Sequence, residues 1–318
     1  MTGLGGLIGF GVVFSLIGVA TSVVACAALA GFTAAARRRG PAVERRAVEL
    51  ATLVPIVAAT IGVAALVAHS LTASDHCPGH GHHAHLCVAH GAAWLERPWA
   101  IAAGAAALMV GLGRATVLAS IVLRGRARVR ALASVATVVG ELRLVESPRA
   151  FCFVAGLWRS AIYASTAAWR GLDDDERAAM LAHERAHVRG RDVARRALLD
   201  LAMIVAAPLA PAYLAARWDD ATERLRDADA AAISSPDAVA RALLAMCRLG
   251  AVRVAGASFE AGARTLSTRI AAVLAEVPSG RSQARTMVAA ATTTILMLAV
   301  ASAIFASSLH HALETLLG

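Results

Sequence analysis

Residues 2–36 contain no charged side chain, and this run limits the architecture more than any other stretch. The hydrocarbon core of a bilayer, about 30 Å thick, offers no water to backbone N–H and C=O groups. A chain therefore crosses it as a helix of about 20 residues that bonds those groups internally. No basic leader of the secretory type precedes the run, so it reads as an uncleaved first spanning helix at about 4–29. Apolar runs at about 50–68, 99–122 and 286–309 suggest three more spans. Arg37, Arg38, Arg39, Arg45 and Arg46, then Arg124, Arg126, Arg128 and Arg130, and finally Arg281 and Arg285 would all fall on one face of such a membrane. An excess of arginine marks the cytoplasmic face, which puts both termini outside.

The expectation is a multi-pass protein of the cell membrane in three parts. Residues 1–123 form a membrane domain with spans at about 4–29, 50–68 and 99–122 and an external His/Cys loop at 72–97. Residues 124–285 form a cytoplasmic domain, and 286–318 a fourth span with a short external tail. Composition agrees: 58% of residues are hydrophobic, 17% are charged, and the mean hydropathy is +0.62. The net charge of +9 sits beside apolar runs and is not interleaved with aromatics. That favours orientation in a lipid bilayer over direct nucleic-acid binding. The five cysteines form no C-x-x-C pair, which argues against a zinc ribbon or a thioredoxin-like motif.

Within the charged domain, His183-Glu184-Arg185-Ala186-His187 is the chemical signal. Residues four apart lie on one helical face, so His183 and His187 can reach the same metal ion with Glu184 beside them. Zinc held this way acidifies a bound water, and the glutamate serves as general base. A third protein ligand would leave one position open, and Glu223 is the candidate, with Asp227 one turn further on the same face. Asp227 would orient a ligand histidine through its other ring nitrogen. Asp192 could do the same, cap a helix, or pair with Arg191 or Arg195. Short strands are expected at 142–146, 150–156 and 161–166, followed by an acid-rich helix start at 172–176. The apolar run 197–216 could nearly span a bilayer, but a crossing there would separate Glu223 from the histidines. With Pro208 and Pro211 inside it, it reads as a buried or membrane-dipping helical segment that returns to the same side.

The external loop holds His76, His80, His82, His83, His85 and His90 together with Cys77 and Cys87. The cysteines could close a disulfide, the histidines could bind a metal or respond to pH, and a soluble polar hairpin would look the same.

The succession of spans, the 150–156 and 162–165 strands, His183-Glu184-Arg185-Ala186-His187 with Asp192, Glu223 with Asp227, the 266–274 helix and a last span resembles the BlaR/MecR-type membrane zinc peptidases. The resemblance implies a mainly α membrane protein with four transmembrane helices and an α+β, gluzincin-like zinc peptidase domain between the third and fourth. It implies one zinc ion on His183, His187 and Glu223, with Glu184 as catalytic base. The substrate would be a peptide or protein, and a signal from outside would lead to loss of a winged-helix repressor of the BlaI/MecI type. A homodimer fits this picture as well. The beta-lactam receptors of that family carry a large penicillin-binding domain after the last span, where this sequence has only 310–318. Two other readings stand beside it: a quality-control or processing peptidase similar to the heat-shock and prenyl-protein zinc peptidases, and a non-proteolytic metal sensor working through the external histidines.

Overall fold

The computed structural model describes residues 2–72, 86–87, 91–92, 98–206, 211–250, 259–275, 279–304 and 308. Two long helices open the chain, α1 (Thr2–Arg39) and α2 (Pro41–Thr72). Only Gly40 separates them, and its φ of 109° lies where a side chain would be strained. A small pair, β1 (Leu86–Cys87) and β2 (Gly91–Ala92), lies before α3 (Pro98–Val135). The sheet follows, as β3 (Ala136–Val139), β4 (Leu142–Val145), β5 (Cys152–Ala155) and β6 (Ala161–Ser165). The remainder is helical: α4 (Thr166–Gly171), α5 (Asp174–Gly190), α6 (Asp192–Ala206), α7 (Pro211–Ala231), α8 (Pro236–Arg248), α9 (Phe259–Leu274) and α10 (Arg281–Ile304).

The strand order is β3-β4-β6-β5, with β4 and β6 parallel and the outer pairs antiparallel. Alternation along β6 divides its contacts between two faces. Ile162 and Ala164 pack with Leu142 toward Leu181 and Val188 of α5, whereas Tyr163 faces Val129 and Leu132 of α3. The sheet thus rests the metal-motif helix on one face and the end of α3 on the other. Of its four strands, β3 was not expected from the sequence.

Three described helices contain a stretch long and apolar enough to cross a bilayer: Gly11–Gly31, Pro41–His69 and Arg281–Ala301. These fall on the first, second and fourth expected spans. The expected third span at 99–122 is not among them. It is the first part of α3, a 38-residue helix that runs unbroken through the arginines at 124–130. What holds is therefore a mainly α-helical protein with three candidate spans among the described residues. Exposed Leu16, Val24, Met109, Ile121, Leu296 and Val300 give α1, α3 and α10 the apolar outer surface that lipid would cover.

The candidate spans α1, α2 and α10 share cores with the helices that carry or flank the metal motif. Leu29 of α1 and Val48 and Ala51 of α2 pack with Leu199 and Met203 of α6 and Leu214 and Trp218 of α7. Ala36, Ala42 and Val43 meet Leu225 of α7 and Ala284 of α10. The run 197–216 is divided between α6 and α7, both packed on α1 and α2, and α7 carries Glu223 back to the motif helix.

Candidate metal centre

The motif helix α5 begins with a reciprocal cap. Asp173 accepts from the Glu176 amide at 2.8 Å, and the Glu176 carboxylate accepts from the Asp173 amide at 3.0 Å. Asp174, Asp175 and Glu176 in its first turn add favourable charge at the positive end of the helix. Ala179 and Ala182 are buried against Ala230 of α7 and Ala238 and Ala242 of α8. Small side chains at these positions let the helices approach closely, which brings the acidic face of α7 within reach of His183 and His187.

The helix ends abruptly. Arg191 takes a left-handed conformation (φ 51°), and its amide bonds to the carbonyls of His187 and Val188. Gly190 must lack a side chain, since a Cβ there would lie 1.9 Å from Arg226 Nη2. The resulting turn swings Asp192 back, and its Oδ2 accepts from His187 Nδ1 at 2.9 Å. On α7, Asp227 Oδ1 accepts from His183 Nδ1, also at 2.9 Å. Each imidazole is thus fixed from behind by a carboxylate, which turns Nε2 of both rings toward the position a metal would take.

Those two Nε2 atoms stand 3.1 Å apart, and Glu223 oxygens lie 3.6 Å from His183 Nε2 and 3.7 Å from His187 Nε2. Donors held about 2.1 Å from a tetrahedral ion stand about 3.4 Å apart; the spacings here, to Glu223 Oε2 from His183 and to Oε1 from His187, put the three side chains within reach of one zinc ion. His183, His187 and Glu223 are also the cluster of metal-ligating groups found among the described residues. A cavity of about 260 Å³ opens beside it, lined by His187, Asp192, Arg196, Trp218 and Glu223 among others.

Arginines neutralise the buried carboxylates. Arg226 donates to both oxygens of Asp192 at 2.6 and 2.7 Å. Arg269 of α9 donates to both oxygens of Asp227 at 2.7 Å and lies 2.9 Å from Glu223. Burial would raise the pKa of Glu223 and Asp227, but Arg269 and His183 hold both below the usual carboxylate range, with His187 adding to the effect on Glu223. Glu184 goes the other way. Burial pushes it up, Glu223 adds to that, and His183, His187 and Arg269 only partly offset it. A base with a raised pKa accepts a proton more readily, which suits general-base work near neutrality.

Burial alone would lower the pKa of His183, but Asp227 and Glu223 outweigh it and raise the pKa to about 10. The metal-free site therefore holds a proton on His183 at neutral pH, and a metal must displace it. Zinc uptake should release that proton. Apparent affinity should then rise with pH, by up to about tenfold per unit below pH 10. Competition titrations at pH 6.5 and 7.5 check this, and equal affinities at the two values would contradict it.

Of the sequence candidates, His183, Glu184, His187, Asp192, Glu223 and Asp227 all lie at this centre. His76, Cys77, His80, His82, His83, His85 and His90, and the side chain of Cys87, lie outside the described residues. Arg45, Arg226 and Arg269 belong to the centre without having been expected there. Arg269 left a trace: it interrupts the apolar spacing of Leu266, Ile270 and Val273, where a charge implies a buried partner.

The family model for Peptidase family M48 matches residues 126–298, just over half of the chain. No curated protein and no solved structure matches it.

Proposed function

Because this chain belongs to peptidase family M48 and is a zinc-dependent metalloendopeptidase of the H-E-x-x-H type, we propose that its proteolysis is regulatory. It responds to a signal from outside the cell by cleaving, or triggering the loss of, a cytoplasmic winged-helix repressor of the BlaI/MecI type. The proposed topology has four spans, with 99–122 as the third. The peptidase domain faces the cytoplasm, and the 72–97 loop and both termini lie outside.

The observation that carries the enzymatic part is the triangle of His183, His187 and Glu223, whose ligand atoms converge within reach of one zinc ion. Zinc bound there supplies a Lewis acid and lowers the pKa of water. Glu184 takes the proton of the attacking water and returns it to the leaving nitrogen. The edge strand β5 lies against the motif helix, with Cys152 and Val154 in the same apolar cluster as Leu181 and Val188 of α5. Its free edge suits an extended substrate backbone.

Two features support regulation over processing: the H-E-R-A-H-V-R-G-R-D form of the motif, and the direct packing of α2 on the peptidase helices. The family match itself fits both.

The deciding experiment follows the termini of a co-expressed winged-helix repressor by mass spectrometry, with the native chain or its Glu184→Gln form. A new repressor terminus in native cells alone is the expected result. Identical termini in both strains overturn the repressor assignment, and new termini on membrane proteins instead would favour processing.

A further inference from the structure

The foot of α2 carries charge into the protein interior. Glu44 is 1% exposed, Arg45 6% and Glu49 8%. A helix that served only as an anchor would dock through apolar groups, because each buried charge costs several kcal/mol of desolvation unless it is paired. The pairs here are specific. Glu44 takes Arg217 and Arg224 of α7. Trp218 Nε1 donates to Glu49 at 3.1 Å, and the Arg45 guanidinium lies over the same indole at 5.9 Å. Arg45 Nη1 donates to Asp192 Oδ1 at 3.1 Å, while the other oxygen of that carboxylate accepts from His187 Nδ1 at 2.9 Å.

We propose that Arg45 is a positioning residue for the ligand His187, acting through Asp192, and that it makes the geometry of the zinc site depend on where α2 sits. This rests on the zinc-peptidase reading. The argument is one of orientation, not of charge. Arg226 already neutralises Asp192 through two bonds, so Asp192 stays ionised without Arg45. Arg226 belongs to α7, however, whereas Arg45 is the group that ties Asp192 to a candidate membrane span. That span belongs to a continuous 32-residue helix from Pro41 to Thr72, so its far end leads into the histidine-rich loop. A shift or rotation of α2 moves the Arg45 guanidinium, and with it the carboxylate that sets the His187 ring.

The test is cobalt(II) and zinc titration of the full chain in nanodiscs, native against Arg45→Met, Arg45→Lys and Glu44→Gln. Partners bonded directly to ligand histidines change metal affinity about 10–100-fold. Arg45 stands one bond further away, so Arg45→Met should weaken zinc about tenfold and shift the cobalt absorption bands. Arg45→Lys should recover part of the loss. Glu44→Gln, which alters the same foot without touching Asp192, should stay within about twofold of native. Native affinity and bands in Arg45→Met overturn the proposal, as does an equal loss in Glu44→Gln, which would make the foot a docking surface only. If Arg45→Met does not fold, Arg45→Lys carries the test with an expected loss of about threefold, and native behaviour there is equally fatal. A native chain that bound no cobalt would instead sink the zinc reading itself.

Discussion

Replacing Glu184 by glutamine should lower the turnover of a peptide substrate by about 10²–10⁴-fold while one zinc per chain stays bound. The two outcomes separate because the ligands and the base are different groups: His183, His187 and Glu223 form the metal triangle, and Glu184 is not part of it. Glutamine keeps the size and shape of the side chain, so Ala179, Ala182 and Ala186 keep their packing along α5. It also removes a charge that burial disfavours, so the variant should be no less stable than the native chain. Loss of activity could not then be ascribed to misfolding. Metal analysis of the purified protein and single-turnover cleavage give the two readings. Turnover within about tenfold of native would remove Glu184 from its assigned role, and loss of zinc would mean that it helps to hold the metal.

The parts of this centre that were legible beforehand are those set by local geometry. His183 and His187 sit four residues apart, as do Glu223 and Asp227, and on a helix that spacing alone places each pair on one face. Strands β4, β5 and β6 were visible as short β-rich runs between turns. Ala136–Val139, by contrast, continues the aliphatic character of α3, and nothing in composition marks where helix gives way to strand. Asp192 had several partners within reach along the chain. The choice of His187 depends on the left-handed turn at Arg191, a residue type that gives no warning of positive φ. Arg45 was hidden by its neighbours: in a cluster with Arg37, Arg38, Arg39 and Arg46 it reads as a membrane-orienting charge. Its burial against Trp218 and Asp192 comes from a contact spanning 147 positions. Such long-range pairings are set by how α2 packs on α6 and α7, which residue spacing does not encode.

Arg269 carries the second large effect, and it is one of stability. Its guanidinium is buried and makes two bonds to Asp227, itself 1% exposed, while also facing Glu223. Substituting methionine keeps most of the volume but leaves Asp227 with His183 as its remaining neighbour. Removing one member of a buried ion pair costs about 3–5 kcal/mol when the other charge is left unpaired; protonated His183 still faces Asp227 in the metal-free protein, so the loss should fall toward the low end of that range. In metal-free protein, Arg269→Met should therefore unfold at markedly lower urea concentration than native, and bound zinc should recover part of the loss by supplying positive charge at Glu223 and His183. Adding Asp227→Asn to the variant should also recover stability, since it removes the stranded charge. Arg241→Met, on exposed pairs with Asp173, Asp175 and Asp237, should leave the transition unmoved. If Arg269→Met unfolded together with native, the Asp227 carboxylate would have to find its stabilisation elsewhere, and α9 would lose its place as the element that holds the acidic side of the zinc site.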